Sequence, residues 1–420
     1  MSPQRPRVVI VGAGFGGLEA AKALSRVAVD VIVLDQQNYH CFQPLLYQVA
    51  TAALSPAEIA WPIRHMIRQQ RNATVFMAGV EAVDLAGRTV QTSAEPIPYD
   101  YLVIATGATH SYFGHDDWAA FAPGLKRIED ATRIRRSILL AFEQAELADN
   151  DAERQRLLTF IIVGGGATGV EMAGAIAEIA RQTLANDFRR IDPRSSRIIL
   201  LEAGPRVIPT LPEDLSRYAE RALIRMGVEV RTSTRVTSCD RHGVELEHGR
   251  IDASTIIWAA GVVASPAAAW LGAAHDRAGR VLVRPDLSIP DHPEVFVIGD
   301  AASVHDDAGE QVPGVAPAAK QMGHYVGRLI AARLAGHSLP AFRYRNLGEL
   351  ATIGRRAAVV KVGPLHLTGF IGWLFWSLAH IYFLIGVKNR FIVAFTWLWD
   401  YLTFQRGARL ITDVPPQGKG

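Results

Sequence analysis

Uninterrupted apolar runs punctuate the chain and set its architecture. Val8-Val9-Ile10-Val11 and Phe160-Ile161-Ile162-Val163 carry no polar position on either face, the pattern of a strand buried on both sides of a parallel sheet. Each run stops at a glycine-rich loop, Gly12-Ala13-Gly14-Phe15-Gly16-Gly17 in the first case and Gly164-Gly165-Gly166-Ala167-Thr168-Gly169 in the second. Each loop opens an alanine-rich stretch predicted as helix, from Leu18 to Arg26 and from Val170 to about Thr183. A second strand follows in both places, Val31 to Leu34 and Ile198 to Leu201. The two pieces lie roughly 150 residues apart and form an internal repeat of one supersecondary unit. Further strands are expected at Leu102-Val103-Ile104-Ala105 and from Thr255 to Ala259. Val295-Phe296-Val297-Ile298 reads as a return to the first unit, so that the second is inserted in the first. A charge-rich helical stretch from Glu129 to Arg156 joins them.

The pattern changes near the C-terminus. Phe370 to Gly386 carry no formal charge, Phe391 to Phe404 carry only Asp400, and Trp373, Trp376, Trp397 and Trp399 crowd together. Arg355, Arg356, Lys361, Lys388, Arg390, Arg406 and Arg409 rim the segment. The first apolar run is at the lower limit for a spanning helix, about 17 residues, and contains Ser377 and His380. The expectation is therefore two apolar helices, broken at Gly386 to Arg390, lying in one leaflet of a membrane as an interfacial hairpin. A buried helical pair or a dimer interface is the alternative.

Composition narrows the field. A chain of 420 residues needs two or three domains, and a net charge of +3 with no basic tract interleaved with aromatics gives no case for nucleic acid. Cys41 and Cys239 have no CxxC spacing and no ligand cluster beside them, which argues for a reducing compartment and against iron–sulfur, zinc or dithiol chemistry; no metal is expected. The polar lead MSPQRPR has no apolar segment behind it except the first strand, so no signal peptide is expected.

Each loop has the chemistry of a pyrophosphate cradle. The first glycine permits the tight turn, the second admits the phosphates to backbone N–H groups, and the third lets helix and strand pack closely. Strand two of the first unit ends in Asp35, about twenty residues on, where a carboxylate can bond an adenosine ribose. Strand two of the second ends in Glu202, which would repel a 2′-phosphate and so favours NADH over NADPH, although Arg206 lies close in sequence. Glu171, on the first turn of the second helix, could reach a bound nicotinamide and, if partly desolvated, relay a proton.

Ala105-Thr106-Gly107, Ala259-Ala260-Gly261 and Val297-Ile298-Gly299-Asp300 make residues 8 to 335 resemble the two-dinucleotide flavoprotein reductases. That resemblance implies FAD on the first loop (Gly12, Ala13, Gly14, Phe15, Gly16, Gly17, with Asp35, Gln36, Val80, Gly107 and Asp300) and NADH on the second (Gly164, Gly166, Gly169, Glu202, Ala260, Gly261). The helix opening near Pro313 to Ala319 should point its positive end at the flavin. A narrower resemblance comes from Asn38 through Ala50, Ala316-Pro317-Ala318-Ala319-Lys320-Gln321, and the stretches Phe383 to Arg390 and Thr403 to Arg409. All look like type II NADH dehydrogenases, the single-subunit, non-pumping NADH:quinone oxidoreductases. By that resemblance Gln321 would meet the quinone headgroup, Glu171 would bridge nicotinamide and quinone sides, and Lys388 would reach in from the membrane segment. Pro317 stands where the family's quinone signature usually has its first glutamine.

The implied fold is α/β: two Rossmann-like domains, the second inserted in the first, and a C-terminal apolar helical segment for membrane anchoring. Domain bounds are expected at 1–115 and 273–340 for the FAD part, 116–157 for a helical connection, 158–272 for the NADH part and 341–420 for the C-terminal domain. The implied enzyme sits on the cytoplasmic face of the cell membrane, with quinone, NADH and the membrane surface as partners, and a homodimer as an option. A soluble reductase of a carrier protein and an NADH-sensing flavoprotein are the competing readings. The cysteine count excludes a disulfide reductase and disfavours a sulfide:quinone reductase.

Overall fold

The computed structural model describes residues 5–384, 386–403 and 406–412. Ile385, Phe404 and Gln405, parts of the C-terminal resemblance, lie outside the described residues. The chain divides into two compact units, one of Met1–His40, Trp61–Thr109 and Val262–Leu347, the other of Cys41–Ala60, His110–Gly261 and Gly348–Gly420.

The first unit is built on a sheet whose strands run in the order Ser288–Ile289, His292–Val297, Tyr101–Ile104, Arg7–Val11, Asp30–Asp35 and Ala73–Met77. All neighbours are parallel except the first pair, and Val9 sits between Ile32 and Leu102. Val8, Val9 and Ile10 are fully buried, as a two-faced apolar strand requires. Helix Phe15–Ala23 leaves the central strand through the glycine loop, and helix Ala316–Leu334 packs against it.

The second unit repeats that order with its own four parallel strands, Val228–Arg231, Arg197–Leu201, Thr159–Val163 and Thr255–Trp258. Helix Ala167–Glu178 ends earlier than its alanine pattern suggested, because Ile179–Thr183 widens into a π-turn. The charge-rich connection is two helices, Ile128–Leu147 and Asp151–Leu157; the Asn150 side chain accepts the Glu153 N–H at 2.8 Å and caps the second.

An antiparallel sheet of Glu349–Gly354, Ala357–Val362 and Leu365–Thr368 leads into the apolar tail. It lies close on the nucleotide helix: a Cβ on Gly174 would stand 1.6 Å from Ile353 O. The tail forms helices Gly369–Phe383 and Val387–Thr403. The expected break from Gly386 to Arg390 is shorter, since Gly386 takes φ +81 and Val387 already begins the second helix. Gly372, Trp376, Ser377 and His380 face inward. Phe370, Ile371, Leu374, Phe375, Leu378 and Tyr382 face out, as do Val387, Phe391, Phe395, Leu398, Trp399 and Leu402 on the second helix. Among the described residues no helix is long and apolar enough to cross a membrane.

Candidate functional site

The two glycine loops are built on the same backbone plan. Gly12 and Gly164 take φ +98 and +108, and a Cβ on either would strike the chain after its unit's fourth strand, Ala105 O at 2.4 Å in one case and Ala259 at 2.6 Å in the other. A Cβ on Gly17 or Gly169 would lie 1.8 Å from the carbonyl of Gly12 or Gly164, so helix and loop can touch only as glycines. Between them Gly14 and Gly166 face open space, with no atom within 4 Å. That space at a helix N-terminus fits a pyrophosphate.

The acids repeat the correspondence. Asp35 accepts N–H bonds from Ala13 at 2.6 Å and Gln37 at 2.7 Å, and Glu202 accepts from Gly165 and Gly204 at 2.6 Å each. Each carboxylate therefore ties its strand end to its loop and stands where a ribose would bind. Arg206 donates to Pro209 O at 2.8 Å, which turns its guanidinium to the backbone.

Around the first loop, His40 is buried with Nδ1 2.8 Å from Ala13 O, and since a carbonyl only accepts, Nδ1 carries the proton. Its ring meets Phe15 edge to face at 4.9 Å, and burial pulls its pKa down to about 4, so it is neutral. Lys320 lies over the same Phe15 ring, 5.3 Å from its centroid. Val80 is buried at the start of strand Val80–Asp84, Gln36 is exposed after strand two, and Gly107 takes φ +66. Asp300 lies in the short turn Gly299–Ala301, and Gly314, just before helix Ala316–Leu334, has room for a Cβ only 3.2 Å from its carboxyl carbon. Pro317 occupies the first turn of that helix, where no N–H is needed. Gln321 Nε2 donates to Arg345 O and its Oε1 accepts the Arg345 N–H, both at 2.9 Å.

In the second unit an open cleft runs from the nucleotide helix to the tail. Glu171 and Glu178, two turns apart on helix Ala167–Glu178, both line it, with Tyr47, Gln48, Thr352, Trp373, Trp376, Trp397, Asp400 and Arg406. Burial pushes the Glu171 carboxyl up to about 8, and the Thr352 N–H, 3.4 Å away, offsets only part of that. The Tyr47 phenol is held well above its usual range, by burial first and by the Glu171 charge second. Trp397 Nε1–H donates to Gln48 Oε1 at 2.7 Å and Gln48 Nε2–H to Tyr47 Oη at 2.8 Å, a polar chain from the tail toward Glu171. Burial also raises Asp400 to about 6. Lys388 stands exposed in the first turn of the last helix and is not part of this lining. Burial lifts the Cys41 thiol to about 12, leaving it unreactive.

The model of the pyridine nucleotide-disulphide oxidoreductase family matches residues 6–323. The type II NADH:quinone oxidoreductase Ndh of Mycobacterium tuberculosis is 46% identical over 428 residues, covering 98% of this chain and 91% of that one. The chain belongs to the type II NADH:quinone oxidoreductases. The solved structure of NDH2 from Plasmodium falciparum in complex with NADH superposes on this type II oxidoreductase with a TM-score of 0.89 at 19% identity, covering 98% of this chain and all of the other. The sulfide:quinone oxidoreductase of Aquifex aeolicus gives 0.73 at 17% identity, with 92% of each chain covered, and shares the fold. Tyr47, Gln48, Thr352, Glu178, Asp400 and Arg406 had no assigned role in the sequence of this type II oxidoreductase. Tyr47, Gln48 and Arg406 lay in stretches that carry the resemblance, Asp400 was the one charge of its apolar run, and Glu178 stands seven residues beyond Glu171 on one helix face, so each of these had a signal, while Thr352 had none.

Proposed function

We propose that the protein is a peripheral membrane enzyme that oxidises NADH on the Gly164 loop and reduces a quinone, with FAD held on the Gly12 loop and no protons pumped. When bound, FAD supplies the two-electron acceptor that connects hydride donor to quinone. One observation carries this reading: helix Ala167–Glu178 starts at a nucleotide cradle and presents Glu171 to a cleft walled by the tail's tryptophans. Glu202 takes the adenosine ribose of NADH, and Ala260 and Gly261 flank its other half. Asp35 takes the ribose of FAD, Val80 and Gln36 lie toward its adenine, and Gly107 and Asp300 lie toward its ribityl chain. Glu171, neutral at pH 7, holds the proton that quinone reduction consumes. Gln321 keeps one carboxamide N–H beyond its bonds to Arg345 for a quinone carbonyl. Lys388 sits at the lipid rim, where a long cation is stable. The outward apolar stripes of both tail helices support attachment to a membrane surface, and the cytoplasmic face of the cell membrane is the side this reading assigns.

The test is catalytic. Purified holoenzyme given NADH should reduce a short-chain quinone mole for mole, across a range of detergent concentrations. Oxidation of NADH with no reduction of any short-chain quinone would defeat the reading.

A further inference from the structure

Phe113 is held in a costly position. Its backbone sits in the left-handed region at φ +54 and 67% of the residue is exposed, so it pays in both conformation and solvation. The backbone around it is pinned. The Ser111 N–H donates to Gly261 O at 3.2 Å, Trp258 Nε1–H donates to Ser111 O at 2.8 Å, and the Tyr112 hydroxyl donates to Ala122 O at 2.8 Å. Tyr112 also stacks on Trp258 at 5.2 Å, and the His115 N–H returns to Tyr112 O at 3.1 Å. The ring is presented by a fixed loop rather than hung from a loose one.

What it is presented to follows from the glycines. A Cβ on Gly261 would lie 2.7 Å from Phe113 Cζ, and a Cβ on Gly164 would lie 2.6 Å from Ala260 Cα. The cradle, Ala260, Gly261 and the Phe113 ring thus form one continuous wall at the carboxyl ends of the strands, where open parallel sheets take ligands. The sheet order places Arg197–Leu201, and so Glu202, one strand to one side of the loop, and Thr255–Trp258, and so Gly261, one strand to the other. A dinucleotide with its ribose on Glu202 and its pyrophosphate on the loop must run its second half toward Phe113.

We propose that Phe113 is the aromatic wall against which the nicotinamide half of the dinucleotide stacks. This rests on the second cradle being the NADH site. An offset or edge-on ring contact explains why an aromatic is kept in the solvent and in the left-handed region, and the positive charge of oxidised nicotinamide makes NAD+ the more sensitive ligand.

Titration calorimetry on oxidised holoenzyme with NAD+ and with ADP-ribose, which lacks nicotinamide, separates the halves. F113A should weaken NAD+ about 3- to 10-fold and leave ADP-ribose within ~2-fold, F113L should fall between, and F113Y should restore NAD+ binding. F113L and F113Y keep a side chain of similar bulk, so the comparison survives if F113A folds poorly. Equal loss of both ligands in F113A and F113L, or no loss of NAD+ in either, would overturn the proposal. A wild type that binds neither ligand would overturn the NADH reading of the cradle and the proposal with it.

Discussion

Arg406 Nη2 lies 2.7 Å from Glu178 Oε2, with only 10% and 16% of the two side chains exposed. The same guanidinium donates to Thr51 O at 2.9 Å, so the chain beyond the last helix is fastened to the nucleotide helix and to the segment carrying Tyr47 and Gln48. Removing one partner strands a largely buried charge. R406M or E178Q alone should lower stability by about 2–3 kcal/mol, and the double variant R406M/E178L should recover part of it. Denaturant unfolding monitored by tryptophan fluorescence reads the difference, and unchanged midpoints in both single variants would show the pair to be ornamental.

The two kinds of glycine in each loop should separate binding from folding. G14A adds a methyl to open space, so the variant should fold with a melting temperature within a few degrees of wild type yet emerge from gel filtration with its flavin depleted. G17A drives a Cβ into Gly12 O and should fail to fold or lose several kcal/mol. Flavin absorbance and melting curves of the two variants decide this.

In the proposed site Glu202 is the group that would discriminate between the two nucleotides. Its carboxylate is fixed by two backbone N–H groups, and Arg206 is engaged by Pro209, so a 2′-phosphate meets a negative group from which Arg206 is turned away. E202Q, whose amide has one accepting oxygen and so keeps only one of the two N–H bonds, should narrow the NADH-over-NADPH preference by roughly 10-fold, about 1.4 kcal/mol. The ratio of kcat/KM values for the two nucleotides measures it.

Much of the nucleotide machinery was legible because it is local. The apolar runs, the glycines and the acids at strand ends all lie within one strand-loop-helix piece, and Asp35 and Glu202 do bond back to their own loops. The connection from Glu129 to Arg156 read as a charge-rich helical stretch, and its division into two helices is marked by Asn150, a cap placed three residues before Glu153. The C-terminal sheet escaped notice because Arg356 at φ +64 and Gly363 at φ +56 make the turns, and only the glycine advertises one. Glu171 and the tail tryptophans were legible one by one, but their meeting in one cleft was not. Trp397 and Gln48 are 349 residues apart in sequence, and nothing in either neighbourhood records the other.

The tail's outward stripes should govern attachment to lipid without touching the cleft. Phe391, Phe395 and Leu402 are exposed and recur at the spacing of one helix face, whereas Trp376 and Val393 are buried. F391S/F395S/L402S should lose at least ~10-fold in partitioning to phospholipid vesicles while retaining flavin and activity toward a short-chain quinone. Vesicle sedimentation checks it; undiminished partitioning would assign that face another job.

Glu171 carries the central claim. Its carboxyl is raised from 4.5 to about 8, so the folded protein binds an extra proton between those values. Stability contributed by that proton is complete below the lower value and is lost as pH rises through the upper one. In the proposed reaction the same protonated carboxyl is the donor to the quinone. The direct measurement is anaerobic stopped-flow mixing of NADH-reduced holoenzyme with a short-chain quinone, from pH 6 to 9.5. Wild-type reoxidation should slow above about pH 8, and E171Q should be slower by ~100-fold or more and flat with pH, while its reduction by NADH stays within ~3-fold of wild type. Reoxidation of E171Q at the wild-type rate, with the same pH profile, would contradict the account.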